Sequence, residues 1–184
     1  MQRTVLTFGF ISGLIILTLA YISERLMMGE NGEMNCSGGE LLGYTTMIIA
    51  LSMVFFGVRQ IRERHLGGNI TFGQAFKVGF LIALVASAMY VIGWMIYYNA
   101  SDLAQTFPAQ YIKHMKEQWA ASGMTQEQIT AKSIGLEKNF ELYKNPLIMA
   151  GMTLMEILPV GLIISLLSAL ILKRKNNEAK LNPS

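Results

Sequence analysis

Hydrophobic residues are concentrated in four long runs that polar segments separate. The runs are Val5–Ile22, Leu41–Val58, Val78–Tyr98 and Leu147–Leu172, and only the last contains a charged residue. A helix that crosses a bilayer needs about 20 mostly apolar residues, so each run is close to the required length. Unpaired backbone polar groups are not tolerated in hydrocarbon, and the runs lack the alternation of barrel strands. We therefore predict an all-α integral membrane protein, a four-helix bundle that forms a single membrane domain over residues 1–184.

The first run has a second interpretation. Arg3 followed by apolar residues is also typical of a secretory signal peptide. The triplet Thr18-Leu19-Ala20 is a poor cleavage site, and the apolar run is longer than in most signal peptides. We therefore expect the segment to remain as the first membrane helix, with a signal peptide as the alternative.

The segments between the runs carry helical signals of their own. Thr71 precedes Gln74, and Thr125 precedes Gln128, at the spacing of a capping box. Apolar residues recur at helical spacing in two stripes between the third and fourth runs: Tyr111, Ile112, Met115 and Trp119, then Ile129, Ser133, Leu136, Phe140 and Tyr143. We expect an amphipathic helical hairpin over residues 103–145, whose first helix ends at Gly123 and which Asn145-Pro146 follows as the start of the fourth span. Residues 23–40, which are acidic and rich in glycine, are expected to form a flexible turn.

The distribution of basic residues predicts the orientation. Only 15% of the residues are charged, against about 25% in soluble domains, and the net charge is +3. Nine of the 15 Lys and Arg residues lie in the N-terminus, in residues 59–77 and in the C-terminal tail. The positive-inside rule then places both termini in the cytoplasm and the hairpin on the extracytoplasmic side. Lys173-Arg174-Lys175 is expected to bind anionic lipid and not nucleic acid.

Catalytic and metal-binding motifs are absent from the sequence. Cys36 is the only cysteine, which excludes an intrachain disulfide and a multi-cysteine zinc site. His65 and His114 fall on opposite sides of the membrane in the predicted topology, so they cannot share a metal. The chain has no P-loop, dinucleotide fingerprint, HExxH motif or Ser/His/Asp set. We therefore expect no catalytic residue, metal or cofactor, and a protein that is not an enzyme.

Glu156 and Pro159 form the candidate intramembrane site. Glu156 lies about ten residues into the fourth run, at a depth of roughly 14 Å, and ionisable residues at such depth face the interior of a bundle. Pro159 cannot donate a hydrogen bond to the carbonyl of Met155, so a kink is expected there. The freed carbonyl beside the carboxyl group predicts a cation or proton site. The alternative is a packing role, in which a protonated Glu156 is hydrogen-bonded to a hydroxyl at similar depth: Ser12, Ser52, Ser87 or Tyr90.

Small residues at four-residue spacing are the second candidate feature. They are Gly9 and Gly13 in the first run, Gly79, Ala83 and Ser87 around the third, and Gly161, Ser165 and Ala169 in the fourth. Such residues let helices approach closely. We expect them to pack within the bundle, while contact with a second copy stays open as an additional use.

Three blocks of the chain resemble a known family. They are Leu42-Gly43-Tyr44 with Phe55–Arg59, then Gly68–Gly79 with Tyr90–Trp94, and Glu156–Ile163 with Ala169–Lys175. Together they resemble the bacterial membrane-protein family called domain of unknown function 4199. The resemblance implies a four-helix protein of the bacterial inner membrane, and it implies no activity.

Two functions remain open from the sequence. The first is a non-enzymatic structural or accessory protein in the lipid bilayer, which binds a partner, either another copy or a different membrane protein, through helix faces or the outer hairpin. The second is a small oligomeric transporter or channel, coupled to ions or protons, that uses Glu156 at the Pro159 kink.

Overall fold

The computed structural model describes residues 1–27 and 39–174, and over these ranges the regular secondary structure is helical, with short connections between the helices. An isolated antiparallel bridge joins Ile70 to Arg174. The prediction of an all-α protein is confirmed for the described residues. The helices are α1 (Gln2–Met27), α2 (Gly39–Leu51), α3 (Met53–His65), α4 (Phe72–Ala100), α5 (Leu103–Ala121), α6 (Gln126–Tyr143) and α7 (Pro146–Leu172).

Four helical segments are long and apolar enough to cross a membrane: α1, α2 with α3 over Leu41–His65, α4, and α7. The four predicted runs lie within them, but the helices extend further at most of their ends. Polar caps cause part of this extension. Thr71 and Gln74 form the predicted capping box at the start of α4, and the Asn145 side chain accepts the amide of Leu147 at 3.0 Å at the start of α7.

The second span is interrupted at Ser52, which the sequence did not predict. The amide of Phe55 donates to the carbonyl of Ser52 at 3.0 Å, three residues back instead of four. The Ser52 hydroxyl donates to the carbonyl of Ile49 at 2.7 Å. Hydroxyl groups that bond back to the preceding turn often bend helices. One tightened turn therefore divides the span into α2 and α3.

The surface of these helices is apolar and their interior contains small polar residues. Leu14, Ile92 and Ile171 are each more than half exposed, at 59%, 59% and 68%. Ser12 and Ser165 have no exposed surface. This arrangement is the reverse of a soluble domain and is typical of helices that pack inside lipid, where small and polar residues face one another.

The helices do not pack equally along their length. α4 makes its most extensive contacts with α7 and α1, and α3 also packs against α4. α2 packs against α1 and α7 but makes no extensive contact with α4. We call the region where α3 meets α4 the closed half and the region where α2 lies apart from α4 the open half. Together they form the helical core.

The candidate packing residues lie at close approaches between helices of this one chain. A Cβ atom built on Gly161 would lie 2.9 Å from Cβ of Ala83, and one on Gly79 would lie 3.2 Å from Cβ of Ser165. Both pairs join α4 to α7. Gly9 and Gly13 lie in the same way against Val85 and Met89, where α1 meets α4.

Helices α5 and α6 pack against each other, and the side of the membrane on which they lie stays a prediction. The rings of Phe107, Tyr111 and Phe140 lie 5.6 to 6.0 Å apart between centroids. The second predicted capping box is present at Thr125, and Gly123, with φ +82°, follows the end of α5.

The turn expected over residues 23–40 is wrong at both ends, and residues 28–38 lie outside the described residues. α1 continues to Met27 and α2 begins at Gly39. Residues 23–27 are therefore helical. The apolar run ends at Ile22, but α1 continues through the polar residues Ser23, Glu24 and Arg25. Cys36 lies outside the described residues.

Candidate functional site

A cavity of about 590 Å³ lies between helix α5 and the open half of the helical core. Five aromatic residues and one carboxylate, Glu156, contribute to its lining. A smaller hollow of about 170 Å³ adjoins it and shares Tyr90, Trp94, Phe107 and Glu156. We call the two together the aromatic hollow. The aromatic residues that line the larger part are Tyr90, Trp94, Phe107, Tyr111 and Tyr143.

The hollow exists because α2 presents small residues where it lies apart from α4. Gly39, Gly43 and Thr46 line the smaller part of the hollow. A Cβ atom built on Gly43 would meet no atom within 4 Å. In the closed half, Gly57 and Gly79 instead bring α3 and α4 into contact, against Ile82 and Val54. Small residues therefore close one half of the core and leave space in the other.

A hydrogen-bonded chain fixes the base of the hairpin to the core. The indole nitrogen of Trp94 donates to the Tyr143 hydroxyl oxygen at 2.8 Å, and that oxygen lies 3.2 Å from the Thr153 hydroxyl. These residues come from α4, α6 and α7. The Tyr98 ring meets the Tyr143 ring edge to face at 5.5 Å, beside the buried side chain of Met149. These contacts connect α4, α6 and α7 beside the hollow.

Glu156 is exposed to the hollow and is not buried between helices. In the described ranges, no residue donates a hydrogen bond to its carboxylate. The four hydroxyls considered as partners have other positions. Ser12 donates to the carbonyl of Ala50, and Ser52 donates to the carbonyl of Ile49. Ser87 is buried and has no hydrogen-bond partner in the part of the chain that the structure describes, and Tyr90 lines the hollow beside Glu156.

Pro159 lies outside the lining of the hollow. Helix α7 is helical through Pro159, and the ring is on an exposed face. The structure therefore does not bring Pro159 into the site with Glu156. His65 and His114 are also apart, since His65 ends α3 whereas His114 lies on α5 and lines the hollow.

Glu24 is a second carboxylate at the site. From the sequence it was expected to lie in the turn over residues 23–40. It lies in the last part of α1, lines the smaller part of the hollow, and accepts a hydrogen bond from the Tyr97 hydroxyl. The Tyr21 ring packs edge to face on Tyr97 at 5.9 Å. The available signal was the spacing of Tyr21, Glu24 and Arg25, which places them on one helical face.

The fold and the hollow define a class: an all-helical protein with four helices able to cross a membrane and a helical hairpin between the third and the fourth. Residues 7–174 match the model of the family described as "Protein of unknown function (DUF4199)". The chain belongs to this family, and the resemblance seen in the sequence is confirmed. No curated protein and no solved structure matches the chain.

Proposed function

We propose that this protein is a non-enzymatic multi-pass protein of the bacterial inner membrane that acts by binding, with the aromatic hollow as its binding site. The observation that carries the proposal is the carboxylate of Glu156, which has no hydrogen-bond donor among the described residues and lines a cavity of about 590 Å³. Ligand pockets have volumes of about 300–1,000 Å³, mostly apolar walls and a few converging polar groups. The Glu156 carboxylate among aromatic rings matches that description and supports recognition of a ligand.

The proposed orientation follows the basic residues. Arg59, Arg62 and Arg64 lie in the last turns of α3, at the end of the closed half where Ile70 bridges Arg174. The positive-inside rule then places the closed half and both termini toward the cytoplasm. The hollow and the α5–α6 hairpin would face the extracytoplasmic side.

Transport is the weaker alternative because side chains fill the core in the closed half. Val54, Ile82 and Ile157 have no exposed surface. Gly79 and Gly161 hold α4 and α7 in contact in the same half. A proton or ion that reached Glu156 from the hollow would meet this packed region next, so the arrangement favours binding over conduction.

Contact with a second copy through the small residues is also less favoured. The surfaces of Gly9, Gly13, Gly79 and Gly161 are already covered by other helices of the same chain. A partner at these positions would have to displace an existing helix. The hollow remains available, so we place recognition there.

Native mass spectrometry of the protein extracted from its own membrane tests the proposal. We expect wild type to retain a bound small molecule or lipid, and Gly43→Leu to lose it because the added side chain enters the hollow. Gly151→Leu is the matched control, since a Cβ atom at Gly151 also meets no atom within 4 Å but lies away from the hollow. Equal retention by all three proteins, or none by wild type, would contradict the proposal.

Proton flux into liposomes separates the two functions. An imposed pH gradient is expected to decay at the same rate with wild type, with Glu156→Gln and without protein. A flux that wild type supports and Glu156→Gln abolishes would establish transport instead.

A further inference from the structure

We infer that the ligand of the aromatic hollow is an organic ammonium ion attached to an apolar body. The inference rests on the proposed binding function and adds the chemical class of what is bound. Three properties of the hollow carry it: its charge, its aromatic walls and its position within the helical core.

The charge of the hollow is negative. Glu156 has no hydrogen-bond partner among the described residues, and Glu24 contributes a second carboxylate nearby. Among the described residues that line the two parts, no side chain is lysine or arginine, and the basic group present is His114. An ionised carboxylate attracts a cation most strongly where apolar walls lower the local dielectric constant, so a cationic ligand would be the natural partner of Glu156.

The walls suit an organic cation better than a metal ion. The faces of Trp, Tyr and Phe attract a cation within about 6 Å of the ring centroid, and Trp is the strongest. Trp94 donates its N–H to Tyr143, so that hydrogen bond holds the ring in place, with Tyr90 stacked at 6.5 Å from it. Calcium and magnesium instead require several oxygen ligands. In residues 1–27 and 39–174, no three His, Cys, Asp or Glu side chains are grouped for a metal.

The ligand is expected to carry an apolar body because the hollow is deep and its lining is mostly apolar. Glu156 lies ten residues after the start of α7, about 15 Å along the helix axis. Met27, Leu41, Phe107 and Met115 line the same space. A ligand whose ammonium group reaches Glu156 must pass and contact these side chains. Two sources provide such a group: the amine headgroup of a lipid, and a free hydrophobic amine.

Paired probes test the charge. In dodecylmaltoside micelles, which contain no ammonium group, we would titrate benzyltrimethylammonium and its neutral isostere neopentylbenzene. Binding is followed by Trp94 emission in a Trp119→Phe background and by calorimetry. The cation is expected to bind at least tenfold more tightly than the isostere. Glu156→Gln should remove at least tenfold of that affinity, about 1.4 kcal/mol, while Glu117→Gln, an exposed acid outside the hollow, should not change it.

Fluorinated tryptophan tests the aromatic contribution without changing the shape of the site. Fluorine withdraws electrons from the ring face, so affinity for the cation should fall stepwise from tryptophan to fluoro- and difluorotryptophan, with the isostere unaffected. Circular dichroism of each variant confirms that the fold is intact. A constant affinity across the series would overturn the cation–π contact.

The outcomes separate this inference from the proposed function. Equal binding of cation and isostere, or equal affinities for Glu156→Gln and Glu117→Gln, would overturn the ammonium class while leaving the hollow as a binding site. Failure of wild type to bind the cation would also overturn it. In the mass-spectrometric experiment, no retained molecule in wild type, or equal retention by wild type, Gly43→Leu and Gly151→Leu, would instead refute the binding function itself.

The source of the amine is decided in vesicles. We would reconstitute the protein in phosphatidylglycerol with and without phosphatidylethanolamine and record bound lipid by native mass spectrometry. Phosphatidylethanolamine retained by wild type and lost from Glu156→Gln identifies the lipid headgroup. Binding of benzyltrimethylammonium without retained phosphatidylethanolamine identifies a free amine.

Discussion

Replacing Gly161 by alanine tests whether close contact between α4 and α7 stabilises the helical core. The added methyl group would lie 2.9 Å from Cβ of Ala83. Carbon atoms in contact prefer about 3.5–4.0 Å, so the two helices must separate by about 1 Å. Neither methyl group can rotate away, because a Cβ atom is fixed by the backbone. Ala83 has no exposed surface, so the separation disturbs the packed interior.

The expected effect is a net loss of stability of about 1–2 kcal/mol. Overpacking a well-packed interior costs about 1–3 kcal/mol. The higher helix propensity of alanine offsets up to about 1 kcal/mol of this. Gly151→Ala is the matched control on the same helix, because its Cβ atom would meet nothing within 4 Å. That variant is expected to be unchanged or more stable by up to about 1 kcal/mol.

The assay is unfolding in mixed micelles, with helicity followed by circular dichroism as sodium dodecyl sulfate is added. Both variants are compared with wild type at the same total detergent. Gly161→Ala must unfold at a lower dodecyl sulfate fraction than Gly151→Ala. If it unfolds at the same fraction or a higher one, the α4–α7 approach does not limit stability and the packing argument is refuted.

Three further predictions concern the hairpin and the topology. Tyr143→Phe removes the acceptor for the Trp94 indole N–H, so it should lower the free energy of unfolding by about 1–2 kcal/mol and speed tryptic cleavage in the hairpin. Tyr44→Phe, at an exposed tyrosine, should change neither, and equal cleavage of the two variants would show that the hydrogen bond is dispensable. Thr125→Ala removes the N-cap of α6 at a cost of about 1 kcal/mol, so hydrogen exchange at the first amides of α6 should quicken, and unchanged exchange would contradict the capping role. A membrane-impermeant maleimide should label Cys36 in intact spheroplasts, whereas labelling only after lysis would reverse the orientation.

The spans and their packing residues were accessible from the sequence because their signals are local. Apolar runs of sufficient length report the helices directly, and capping boxes such as Thr71–Gln74 mark the ends. The spacing of Gly79 and Ala83 indicated a close-packed face. The spacing alone did not show that Gly79 and Ala83 pack against α7, because which helix contacts which depends on the packing of all the helices.

The hollow was not accessible from the sequence for the same reason. It arises where α2 lies apart from α4, which is a relation between helices that are far apart in the chain. Glu156 was identified by its charge. That it lines a hollow depends on helix α5, which forms another wall of the same cavity. Glu24 was missed because its neighbours in sequence are polar, while its partner Tyr97 lies in another helix.

The tightened turn at Ser52 has a mechanical consequence. A continuous helix transmits a sideways movement along its whole length, whereas a break in the regular bonding pattern isolates one segment from the next. α2 therefore need not follow the direction of α3, and it lies apart from α4 while α3 stays packed against α4. One apolar segment, Leu41–His65, thereby serves both the open and the closed half of the helical core.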